Sequence, residues 1–130
     1  MKAEMYQGND ILRLSFEFSL SIVKYCDQLN AERKFVLSNQ LLRSGTSVGA
    51  NAMEAQNAES KADFIHKMKI AAKEADETQY SLTLCNFSPG FPDTTVLNQK
   101  LIEIQKIIKA ILGTTKRKNP FSYILSLIIW

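Results

Sequence analysis

Apolar side chains recur at steps of three and four along four separate stretches of the chain, the spacing that places them on one face of a helix. In the first, Ile11, Leu14, Phe18, Ile22, Tyr25 and Leu29 make the stripe, with Asn9 or Asp10 available as a cap. The second carries Leu37, Leu41, Ser44, Val48, Asn51 and Ala55 on one face, after a turn in which Asn30 is the expected cap. The third opens on "SKAD", the form of a capping box with Ser60 as cap and Asp63 three residues on. Its stripe is Phe64, Met68, Ala71, Ala75, Thr78, Leu82 and Cys85, and "NFSPGFPD" ends it, because proline and glycine do not readily continue a helix. The fourth, capped by Asp93, carries Leu97, Leu101, Ile104, Ile108 and Ile111, with Gly113 placed to stop it. The pattern predicts helices over about 10–29, 31–57, 60–86 and 94–112 and a tail over 113–130. Four amphipathic helices with short links imply an all-α, antiparallel up-down four-helix bundle in a single domain.

The stretch "SGTSVGANA", Ser44 to Ala52, interrupts this pattern of bulk without breaking its phase. A loop would shift the register, so the stretch is read as helix. Gly45 and Gly49 stand four apart and therefore on one side, where another backbone can approach closely. Each glycine inside a helix costs about 1 kcal/mol relative to alanine, and close packing can offset that. The partner is either a neighbouring helix of the same chain or a bulkier surface, such as Phe16 and Phe18 or a second subunit. A phosphate-binding loop does not fit: Gly49 is followed by Ala50 and Asn51 rather than Lys and Ser/Thr, and no strand precedes it.

Composition adds little. The chain has 130 residues, 45% hydrophobic and 22% charged, within the ordinary range for a soluble globular domain. No apolar run approaches the roughly 20 residues that cross a bilayer, and the first residues lack a signal-peptide core, so a cytoplasmic protein without a membrane role is expected. Cys26 and Cys85 are read as reduced thiols. The net charge is +3, unevenly spread. From residue 100 onward, Lys100, Lys106, Lys109, Lys116, Arg117 and Lys118 face Glu103 alone, six minus one or +5, leaving −2 for the rest. Such a cluster either complements a helix dipole or forms a footprint for nucleic acid.

Several polar residues sit beside the apolar stripes. Arg43, Ser47, Ala50 and Glu54 share a face of the second helix. Arg43 and Glu54 lie about 16 Å apart along a helix, so each needs a partner elsewhere. Ile70, Glu74, Glu77, Ser81 and Leu84 share a face of the third helix, an edge expected to be partly covered, and Arg43 is a natural partner for Glu74 or Glu77. Paired carboxylates also suggest acid–base or metal chemistry. The di-iron bundle motif, however, needs Glu-x-x-His, and His66, the one histidine, lies well round the helix from Glu74. No catalytic residue, metal site or cofactor is expected.

The run "LSNQLLRSGTSVGANAMEAQNAESKADFIHKMKIAAKEADETQYSLTLC" resembles the bacterial four-helix bundle proteins of the 23S rRNA intervening-sequence family, related to the accessory variability proteins of diversity-generating retroelements. Gln40, Arg43, Ser44, Ser47, Asn51 and Glu54, then Phe64, Ala71, Glu74 and Glu77, carry the likeness, which covers about residues 9 to 113. The tail "KRKNPFSYILSLIIW" matches no pattern of that family. The resemblance implies a left-handed bundle, a ring-like homo-oligomer, often a pentamer, and a basic surface able to bind RNA, DNA or a reverse transcriptase, with no catalysis. Gln40, Arg43, Ser47, Asn51, Glu54, Glu74 and Glu77, with Gly45 and Gly49, then become structural or interface residues. Lys106, Lys109, Lys116, Arg117 and Lys118 become the candidate nucleic-acid contacts. The expectation is a non-enzymatic oligomeric module for nucleic acid or a nucleic-acid enzyme. The alternative is a protein-binding scaffold with no nucleic-acid role.

Overall fold

The computed structural model describes residues 8–117. The chain there is all-helical: α1 (Asp10–Ala31), α2 (Phe35–Gln56), α3 (Lys61–Phe87) and α4 (Thr95–Arg117). Each helix packs on its neighbours in the order α1, α2, α3, α4 and back to α1, with no diagonal pairing. The cross-helix contacts run in opposite directions along each pair. Between α1 and α2, Ser15 lies by Gly49 and Ile22 by Gly45, while the Cys26 thiol donates to the Ser38 carbonyl at 3.4 Å and the Ser38 hydroxyl donates back to the Cys26 carbonyl at 3.3 Å. Between α1 and α4, Lys100 Nζ donates to Ser21 Oγ at 3.0 Å and the Tyr25 hydroxyl to the Pro92 carbonyl, just before α4, at 2.8 Å. Neighbours are thus antiparallel, the arrangement of an up-down bundle.

The predicted stripes are the core. Phe18, Ile22, Leu29, Leu41, Val48, Met68, Leu82, Leu101, Ile104 and Ile108 are buried, with Leu14, Leu37, Phe64 and Ile111 packed half-buried against them. Asn9 caps α1, its side chain accepting from the Leu12 N–H at 3.3 Å. Ser60 caps α3 by accepting from the Asp63 N–H at 3.0 Å. The returning bond of the box is displaced by one residue: Asp63 Oδ2 accepts from the Glu59 N–H at 3.2 Å.

Three boundaries differ from the sequence expectation. Asn30 does not cap α2; α1 continues to Ala31 and α2 begins at Phe35, after Lys34, which makes no side-chain cap bond. The turn between them is a Schellman closure. Lys34 N–H donates to the Leu29 carbonyl at 2.9 Å and Arg33 N–H to the Asn30 carbonyl at 3.0 Å, with Arg33 in the left-handed region at φ 62°. Asp93 does not cap α4 directly. Its carboxylate accepts from the Thr95 hydroxyl at 2.9 Å, and the buried Thr94 holds the turn, its carbonyl and hydroxyl both accepting from Asn98. Gly113 does not stop α4, which continues to Arg117. Glycine ends a helix by taking a positive φ, and among the described glycines only Gly8 and Gly90 have one.

The small-residue stretch is helical and close-packed. A Cβ on Gly45 would lie 2.9 Å from Ile22 Cγ1, and one on Gly49 would lie 3.2 Å from Ser15 Oγ. The partner is α1 of the same chain. Phe16 lines the shallow groove beside Gly49, and Phe18 is in the core.

Candidate functional site

Two surface regions collect the residues that the sequence singles out. The first lies across α2 and α3. Arg43, one turn before Ser47 on α2, reaches across to α3. Its Nη1 meets Glu74 at 3.1 Å and its Nη2 bonds Glu77, so one planar fork spans two carboxylates a turn apart. Hydrogen bonding to Glu77, then the charge of Glu74, holds the guanidinium proton more tightly than usual. Ser47 donates to the Arg43 carbonyl at 2.6 Å and Asn51 Nδ2 to the Ser47 carbonyl at 2.9 Å, so both polar side chains are occupied by their own helix. Glu54 reaches Lys67 on α3 at 3.9 Å, and Gln40 is exposed. Ser81, on the same side of α3, is fully buried, while Leu84 stays exposed.

Both carboxylates of the cluster are engaged by one guanidinium, and His66 is exposed on another part of α3. Among the described residues no three histidine, cysteine or acidic side chains gather to hold a metal ion. Cys26 and Cys85 are buried free thiols, pushed above their ordinary pKa by burial, so neither is a ready thiolate nucleophile. Tyr25 is raised as well, through burial first and then through the nearby Cys85. Among the described residues no helix is long and apolar enough to cross a membrane.

The second region is the outer side of α4. Lys106 and Lys109 are exposed there, one turn apart, with Glu103 exposed nearby. Lys116 and Arg117 form the last turn of α4; Lys118 lies outside the described residues, as does the apolar run 121–130. The two lysines border a groove of about 570 Å³ between α3 and α4, floored by Ala72, Ile102, Ile108 and Leu112 and running to Gly113. At its α3 wall, Gln105 Nε2 donates to Asp76 at 3.2 Å and to Gln79 at 3.3 Å.

Sequence reasoning missed the groove, because its width depends on how far apart two backbones settle. It also missed a set of exposed apolar side chains: Val36 (84% exposed) near the start of α2, and Tyr80 and Phe87 (81%) near the end of α3. The signal was present, since each falls off its helix's apolar stripe.

The chain is similar to proteins already grouped by sequence. It matches the family described as 23S rRNA-intervening sequence protein over residues 7–110. A crystal structure of a protein of unknown function from the S23 ribosomal protein family of Bacteroides thetaiotaomicron is 43% identical, covering 78% of this chain and 97% of its own, with a TM-score of 0.75. No curated protein matches. The match spans all four helices up to residue 110, including Arg43, Glu74 and Glu77, and the chain belongs to the 23S rRNA-intervening sequence protein family.

Proposed function

We propose that this protein is a non-enzymatic helical module of the cytoplasm that assembles with copies of itself, in a ring of the pentameric kind its resemblance implies, and binds RNA, DNA or a nucleic-acid enzyme such as a reverse transcriptase. The observation that carries the reading is the charge of α4. Between Thr95 and Arg117 stand five basic residues, Lys100, Lys106, Lys109, Lys116 and Arg117, against Glu103, five minus one or +4. The same count gives −1 for α1 and zero for α2 and for α3. A ring repeats that positive helix once per subunit, so weak phosphate contacts reinforce one another. Binding of this kind is largely blind to sequence and falls steeply with salt, because phosphate contacts release counterions.

Filter binding with a structured RNA at low and moderate salt tests it. The Lys106→Glu/Lys109→Glu variant should lose affinity and show a shallower salt slope, with its helical melting curve unchanged, since both side chains are exposed. Absence of binding by the unaltered protein at low salt would turn the reading to a protein scaffold. The exposed Val36, Tyr80 and Phe87 favour that second reading, because such side chains commonly mark protein contacts. Light scattering that found only the 14.7 kDa chain would remove the ring.

A further inference from the structure

We infer that the groove between α3 and α4 is the docking site of the chain's own segment 121–130. The groove has a mostly apolar floor, Ala72, Ile102, Ile108 and Leu112, and Ile102 is 43% exposed within it. It runs along the second half of α4 and reaches Gly113, four residues before the helix's last residue, Arg117. The next residues are Lys118, Asn119 and Pro120, and after them comes "FSYILSLIIW", the most apolar run in the sequence. Proline has no N–H to extend a helix and disfavours helical geometry in the residue before it.

The lengths agree. From Ile102 to Gly113 the groove spans about 17 Å of helix. Residues 121–130 reach about 15 Å even if wound as a helix and about 33 Å if extended. A short turn from Arg117 therefore brings apolar side chains onto an apolar floor that lies within reach of the same chain. Eight large apolar residues in this run, from Phe121 to Trp130, need cover from water. This groove, with its apolar floor ending at Gly113, is a surface suited to them within the reach of the segment. Lys106 and Lys109 at the rim remain free to face solvent, so the docking holds whether or not α4 binds nucleic acid.

Trp130 is the one tryptophan and lies in the segment, so its emission reports on the docking directly. In the full chain the emission should be blue-shifted and shielded from a soluble quencher. Ile102→Asp should shift it to the red and expose it, while Val36→Asp, in an exposed apolar position away from the groove, should leave it as it was. Emission of a water-exposed indole in the unaltered protein, or emission that ignores Ile102→Asp in a folded bundle, overturns the inference. A second arm does not depend on weakening the groove. In a chain carrying Lys106→Cys and Ile124→Cys, with Cys26 and Cys85 buried, a short bis-maleimide should join the two new thiols within one chain. A linked pair of chains on a denaturing gel would show instead that the segment lies on a second copy, and a failure to link at all would show that it lies elsewhere.

Discussion

The seam between α1 and α2 and the seam between α3 and α4 solve the same packing problem in opposite ways. At the first, Gly45 and Gly49 remove side chains from α2, and α1 moves in until Ile22 and Ser15 fill the space. At the second, α4 presents large branched residues, Ile104 and Ile108 inward and Ile102 outward, against the short Ala72, and a groove stays open along the edge. Closing the first seam costs helix propensity, about 1 kcal/mol for each glycine, and returns van der Waals contact along the backbone. The second leaves apolar surface uncovered by residues 8–117.

The largest effect that can break this contrast is added bulk at the tight seam. Gly45→Leu should destabilise by about 3 kcal/mol or more, since overpacking a fixed contact typically costs 1–3 kcal/mol. Even Gly45→Ala should lower stability. Its new methyl would lie 2.9 Å from Ile22, which is fully buried and, being β-branched, held in one χ1 rotamer. The propensity gain of alanine is then outweighed. Urea melts of the two variants check this; an alanine variant more stable than the parent would show that Ile22 can yield.

Much of this contrast was legible in the sequence, and the parts that were not have physical reasons. The four stripes were readable because burial follows the helical period. The Arg43 bridge was readable because an arginine beside an apolar stripe, too far from Glu54, had to find carboxylates on another helix. The end of α1 was not readable, because a Schellman closure usually announces itself with glycine and here uses Arg33 in a left-handed conformation. The end of α4 was not readable either, since a glycine marks a stop only when its φ turns positive, and Gly113 keeps the helix going.

Gly113 offers a smaller, opposite effect that sharpens the comparison. Nothing among the described residues lies within 4 Å of a Cβ built there. Gly113→Ala should therefore stabilise by up to about 1 kcal/mol, the propensity difference alone, and raise the melting temperature by a few degrees. A loss of stability would mean that the docked segment 121–130 extends to this end of the groove and is crowded by the added methyl.

The smallest effect is expected at the α2–α3 seam, between the two extremes. Arg43→Lys replaces a fork with a single ammonium, which cannot bond Glu74 and Glu77 together in the same way. Because the cluster is open to solvent, the loss should be slight at low salt and should vanish at high salt, where exposed charges are screened. Thermal melts at two ionic strengths read it. A loss that persisted in high salt would assign the role of Arg43 to the packing of its stem rather than its charge.

The circular order of the helices has a topological consequence. With α4 lying beside α1 and running antiparallel to it, residues 8 and 117 leave the bundle at the same pole, alongside the link between α2 and α3. The opposite pole carries the other two links, tied together by the Lys34 ammonium, which donates to the Gly90 carbonyl at 2.8 Å and sits over the Phe91 ring. The break in the covalent circle can therefore be moved. A chain opened between α2 and α3 and joined across from α4 to α1 would retain every helix–helix seam and the whole tied pole. What holds the fold is the cycle of contacts, and the place where the backbone starts is incidental to it.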